Sequence, residues 1–166
     1  MTNDAPLAIH RARVLPEWID YNGHMNVAYY VLAFDQATDA FFDHLDIGLA
    51  YKERTSFSTF SLELHVTYDR EVQEGDPLAF RTWLLDYDHK RVHYYHEMLH
   101  AEEGYVAATL ETISMHIDMS VRRSAPFPDD VLARLEDLHA AHRAAPPPPE
   151  RIGRTSGIRR RAPDAA

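Results

Sequence analysis

Residues 26–45 read NVAYYVLAFDQATDAFFDHL, and the fold turns on this stretch. Val31, Phe34, Thr38, Phe41, Phe42 and Leu45 recur at three- and four-residue intervals, the spacing of one face of an α-helix. Asn26 is a good N-cap, because its side chain can accept a hydrogen bond from a first-turn amide. Gly48 comes soon after the expected end. The spacing therefore predicts one long helix over 27–45.

Around it the pattern changes to a period of two. Residues 7–15 alternate as a strand before Pro16. Downstream, 56–70 alternates through Phe57, Phe60, Leu62, Leu64, Val66 and Tyr68, and Glu74-Gly75-Asp76-Pro77 makes a turn. Strands over 78–87, 91–100 and 105–119 come next, separated by Asp88-His89 and by Glu102-Glu103-Gly104. Pro128-Asp129-Asp130 then opens a closing helix, with acidic residues where the N-terminal dipole favours them. A long helix wrapped by a five-stranded antiparallel sheet, with a C-terminal helix, is an α+β architecture.

The chain has 166 residues, 45% of them apolar and 26% charged, which suits one globular domain with a sizeable core. No apolar run approaches the length needed to span a bilayer, so no membrane partner is expected. Met1 to Pro6 carries no basic or apolar signal region. The absence of cysteine removes disulfides, thiolate metal sites and a thiol nucleophile, and favours a reducing, cytoplasmic setting. The net charge is −9, which disfavours nucleic acid as a partner. The acidic excess keeps the chain soluble and would also suit a ligand with a cationic group.

The basic residues are unevenly placed. Residues 143–166 carry six arginines against Glu150 and Asp164. The run Pro146 to Pro149 cannot continue a helix, and the Gly/Arg-rich residues beyond it have little to bury. The expected organisation is one domain over 1–144 and a disordered Pro/Arg-rich tail over 145–166. That tail either solubilises the chain or reaches the phosphates of a nucleotide ligand.

Two patterns mimic metal sites. His96-Glu97-Met98-Leu99-His100 matches H-E-x-x-H, which binds zinc only on a helix. The flanking turns and the residues Val92, Tyr94 and Tyr95 favour a strand, on which His96 and His100 stand about 13 Å apart. The wider set His89, His93, His96 and His100 then alternates between faces. No metal and no cofactor is expected.

The chemistry-bearing stretch is Trp18-Ile19-Asp20-Tyr21-Asn22-Gly23-His24-Met25-Asn26-Val27-Ala28-Tyr29-Tyr30. Asp20, Asn22, His24 and Asn26 alternate through a tight glycine-containing loop at the entry to the long helix. First-turn amides lack intrahelical partners and the dipole adds positive potential, so an oxyanion or phosphate can be held there. A carboxylate and an imidazole beside it supply a nucleophile or base and a polar orienter. The same residues also read as ordinary cap and turn residues.

The pattern Asp20-x-Asn22-x-His24-x-Asn26, with a Tyr-rich helix after it, resembles the central-helix entry of hotdog-fold thioesterases. The 4-hydroxybenzoyl-CoA thioesterase-like group carries an aspartate at the position of Asp20. The plant acyl-ACP thioesterases carry Asp, Asn and His at Asp20, Asn22 and His24. Tyr68-Asp69-Arg70-Glu71 and Gly75-Asp76 are similar to a strand end and turn of that fold. The resemblance spans about residues 7 to 140. Within the family, residues 21–30 look most like bacterial betainyl-CoA thioesterases of carnitine breakdown.

The resemblance implies hydrolysis of a small acyl-CoA, with Asp20, Asn22 and His24 catalytic. Asp20 either attacks the thioester or activates water, His24 is an alternative base, and amides near Asn26 and Val27 hold the oxyanion. Asn26, Val27, Tyr30, Trp18 and Glu71 are the expected substrate-binding residues. Glu71 corresponds to an assisting glutamate of the plant enzymes, although Val72 stands where those have cysteine. The family also implies a homodimer, or a dimer of dimers, with sheets joined edge to edge. A trimethylammonium group is held best by aromatic faces, and Trp18, Tyr21, Tyr29, Tyr30 and Phe34 cluster near the entry. The rival readings are a thioesterase for another aromatic or aliphatic acyl-CoA, and a non-catalytic acyl-CoA-binding module.

Overall fold

In the computed structural model, which describes residues 3–157, the chain alternates between one curled sheet and three helices. Strand β1 (Leu7–Arg13) precedes α1 (Val27–His44) and α2 (Leu49–Thr55). Strands β2 (Phe57–Tyr68), β3 (Pro77–Tyr87), β4 (Arg91–His100) and β5 (Val106–Asp118) come after them. A two-residue strand, β6 (Arg123–Ser124), and α3 (Asp129–Ala144) complete the regular elements. The sheet order is β1-β3-β4-β5-β2, all neighbours antiparallel, with β6 pairing on β5. A long helix held by an antiparallel sheet in this order is the hotdog architecture. No helix among the described residues is long and apolar enough to cross a membrane.

Helix α1 forms where its spacing places it. The Asn26 side chain accepts from the Ala28 amide at 3.0 Å and caps the helix. Tyr30, Ala33, Phe34, Ala37, Thr38, Phe41 and Phe42 make its buried face. Ala33 and Ala37 have no bulk, so the helix sits close on the sheet. Phe34 meets Phe80 edge-on at 5.8 Å, and Phe41 lies 5.1 Å from Tyr94. Burying Phe34 or Phe41 contributes roughly 1.5–3 kcal/mol each.

The zinc-like motif lies on β4, as a strand. His96 is fully buried beneath α1, its Nδ1 2.7 Å from the Thr82 hydroxyl and its Nε2 3.1 Å from that of Thr38. A neutral imidazole offers one donor and one acceptor, so the two threonines satisfy it completely. Burial holds its pKa down at about 3. His93 points the other way and meets Glu111 at 2.8 Å.

Two features depart from the sequence reading. Helix α2 fills the connection between α1 and β2; it is seven residues long, has no side-chain N-cap bond, and buries Tyr51 alone. Such a helix has no apolar periodicity to detect, and the Tyr51 hydroxyl, 3.0 Å from His116, anchors it. The chain also stays on the body beyond residue 144, where composition predicts the start of a disordered tail. The Trp83 indole donates to the Ala145 carbonyl at 3.0 Å, Pro147 is buried, and Pro149–Arg151 forms a 3-10 turn. Arg151 then pairs with Asp69, and the Gly153 amide donates to Glu111 at 2.7 Å. Local composition misses this strap because its partners come from β3, from β5 and from the end of β2. Residues 158–166 of the expected tail lie outside the described residues.

Candidate active site

The loop before α1 is a small closed hairpin. Ile19 and Met25 form a lone antiparallel bridge. The Asp20 amide donates to the His24 carbonyl at 3.1 Å, and the Gly23 amide to the Asp20 carbonyl at 3.0 Å. Gly23 closes the turn at φ +82°, a conformation that disfavours any side chain. The Met25 amide ties the loop to the Val72 carbonyl at 2.9 Å. A rigid platform results at the positive end of α1.

Both carboxylate oxygens of Asp20 are engaged. Oδ1 accepts from the Asn22 amide at 2.8 Å, and Oδ2 accepts from Asn26 Nδ2 at 3.3 Å. His24 Nδ1 lies 3.3 Å from the Met25 carbonyl, which favours a proton on Nδ1 and leaves Nε2 to act on a ligand. The first-turn amides are not equivalent. Asn26 N–H donates to the Trp18 carbonyl at 2.8 Å, and Ala28 N–H is capped by Asn26. Among the described residues the Val27 N–H has no acceptor. Of the amides expected to hold an oxyanion, Val27 is therefore available and Asn26 is spent.

These groups open on a cavity of about 410 Å³. Asp20, Asn22, His24, Asn26, Val27, Tyr30 and Glu71 all line it, so seven of the eight expected site residues come together. Trp18 does not. It is buried behind the hairpin with its ring stacked on Tyr29 at 5.7 Å. Of the remaining aromatics, Phe34 is core and Tyr21 lines the cavity.

The far wall comes from the end of β2, through Tyr68, Asp69 and Arg70 beside Glu71. The strand-end motif containing them is legible in the sequence, but nothing local shows that it faces the helix entry. Tyr68 meets Tyr30 edge to face at 5.2 Å and 86°. Burial raises the pKa of both hydroxyls, so both rings are neutral phenols at ordinary pH. The Arg70 guanidinium stacks over the Tyr105 ring at 3.7 Å, and the Tyr105 hydroxyl donates to the Glu71 carbonyl at 3.1 Å. An oriented carboxylate, a free imidazole nitrogen and an unpaired helix-entry amide can together activate water or attack a carbonyl, and hold the resulting oxyanion.

This fold and site define a class. Residues 14–135 match the thioesterase-like superfamily, and the chain belongs to it. The chain is 41% identical over 152 residues to a betainyl-CoA thioesterase of Pseudomonas aeruginosa, covering 92% of this chain and 95% of that protein. It is 35% identical over 156 residues to an L-carnitine dehydrogenase/betainyl-CoA thioesterase of Agrobacterium fabrum, covering 94% of this chain and 31% of that longer protein. Among solved structures, a Staphylococcus aureus protein in complex with CoA superposes with a TM-score of 0.83 at 28% identity, over 96% of this chain and all of that one.

Proposed function

We propose that this protein is a cytoplasmic thioesterase that hydrolyses betainyl-CoA to betaine and CoA. The observation that carries the reading is the Asp20 carboxylate, held at both oxygens beside the free Val27 amide in the shared cavity. Similarity over nearly the full length of a betainyl-CoA thioesterase supports the acyl group. The lack of cysteine supports the compartment.

In the reaction the Val27 N–H takes the thioester oxygen as it becomes an oxyanion. Asp20 serves by one of two routes. It adds through an oxygen to the carbonyl carbon, the C–S bond breaks, the thiolate leaves and is protonated, and water cleaves the mixed anhydride. Alternatively it takes a proton from water as that water attacks the same carbon, and CoA leaves as the thiol. Asn22 and Asn26 hold the carboxylate, and His24 Nε2 orients the water or thioester. Glu71 stands at the cavity wall.

The working unit is a homodimer joined through β2. That strand is one edge of the sheet, twelve residues long, and exposes Phe60, Leu62 and Leu64. A long apolar edge is a template for pairing with a second copy.

The test is thiol release from betainyl-CoA beside acetyl-, hexanoyl- and 4-hydroxybenzoyl-CoA. Preference for betainyl-CoA that is lost in Asp20→Asn supports the reading. Preference for another thioester keeps the class and discards the substrate.

A further inference from the structure

In betainyl-CoA one methylene separates the thioester carbon from the quaternary nitrogen. The N–CH2–C(=O) unit has the connectivity of a peptide N–Cα–C, so the nitrogen lies about 2.5 Å from the reacting carbon. Wherever Asp20 and Val27 place the carbonyl, the charged head must lodge in the immediately adjoining wall. A trimethylammonium has no N–H to donate. Aromatic faces and nearby carboxylates are what hold it.

The adjoining wall has that composition. Tyr30 lies one helical turn beyond Val27, and a helical side chain leans toward the N-terminus, which carries its ring to the helix entry. Tyr68 stands against it with the two ring planes 86° apart. The edge-to-face contact braces the Tyr68 ring against Tyr30, and both residues line the same cavity as Asp20. Tyr68 keeps 48% of its surface exposed, whereas Tyr30 is buried to 4% and fixed by packing. Arg70 lines this cavity too, with its guanidinium engaged by the Tyr105 ring. Asp69 is paired with Arg151, which leaves Glu71 and Asp20 to supply negative potential.

We infer that the Tyr68 ring, braced by Tyr30, is the receptor for the quaternary ammonium of the acyl group and sets the preference for a cationic acyl-CoA. The inference rests on the betainyl-CoA reading and adds the residues that select its charge.

The test compares betainyl-CoA with 3,3-dimethylbutanoyl-CoA, in which a neutral carbon replaces the nitrogen at nearly the same shape. The readout is the ratio of the two kcat/KM values in the full-length protein. Wild type should prefer the cation about tenfold or more, as a desolvated cation–π contact allows. Tyr68→Leu, at a half-exposed position, should lower the ratio about tenfold from its wild-type value, the intrinsic activation of the carbonyl by the cation being common to both proteins, while Tyr68→Phe, which keeps the π-face, should retain it. Tyr30→Phe should retain it as well. A folded Tyr68→Leu protein with the wild-type ratio would overturn the inference and leave the betainyl-CoA reading standing. A wild-type protein indifferent to the charge, or inactive on betainyl-CoA, would overturn both.

Discussion

Asn26 bonds Asp20 and the first turn of α1 at the same time. Its Nδ2 donates to Asp20 Oδ2 at 3.3 Å while its Oδ1 accepts from the Ala28 amide at 3.0 Å. One side chain thus fixes the carboxylate relative to the helix end that receives the oxyanion. Asn26→Ala is expected to lose about 1 kcal/mol as a cap, a fall of roughly 2–4 °C in Tm. Turnover should fall by about tenfold or more through misplacement of Asp20. Asn26→Asp keeps the cap but sets a carboxylate against Asp20, so its Tm should fall less and its turnover at least as far. Thermal melts run beside thiol-release assays check the pair.

Asp20→Asn is expected to cut turnover at least ~100-fold. Its amide oxygen can still accept from the Asn22 amide, so the loop and the melting curve should change little. Near-normal turnover in this variant would remove Asp20 from the chemistry.

Acid should weaken the fold through His96. Its native pKa is held down at about 3 by burial, against 6.5 when exposed. The unfolded chain therefore binds a proton that the native chain refuses, and stability falls as pH drops below about 6.5 and on toward 3. His10, His44, His116 and His142 are also lowered by burial and act in the same direction. In His96→Gln the decline of Tm between pH 7 and pH 5 should be shallower than in wild type.

Removing the chain after Ala145 should lower the melting temperature by several degrees. On composition alone that segment has little to bury, and its loss would carry no penalty. The strap's contacts reverse the expectation, because its loss removes the buried Pro147 and the Gly153–Glu111 bond and frees Asp69 at the cavity wall. Arg151→Ala isolates the second effect. It should leave Tm nearly unchanged, since a partly exposed ion pair contributes about 0–1 kcal/mol, and should raise KM more than it lowers kcat.

Leu64→Lys on the edge strand is expected to shift the protein from dimer to monomer in light scattering. In the proposed homodimer each copy would bring the introduced charge into the same apolar seam, and like charges there oppose pairing.

Helix α1 is legible in the sequence because one face buries seven residues at helical spacing, and its start because Asn26 caps it. The helix-entry cluster is local in the chain, so reading alone places Asp20, Asn22, His24 and Asn26 together. The features that stay hidden depend on distant partners. Trp18 sits two residues from Asp20, yet the hairpin turns its ring back onto Tyr29. Tyr68 enters the cavity because β2 ends opposite the start of α1, a meeting that alternation along one strand does not encode. The strap from Ala145 onward is held by Trp83, Asp69 and Glu111, which no run of prolines and arginines reveals.

That strap also occupies one face of the sheet. It lies on the side of the sheet away from α1, joined to Trp83, Asp69 and Glu111. Two sheets pack face to face at about 10 Å, a gap filled by side chains alone. A backbone already lying in that gap keeps a second sheet out. Where the strap runs, that face of the sheet is closed to such layering.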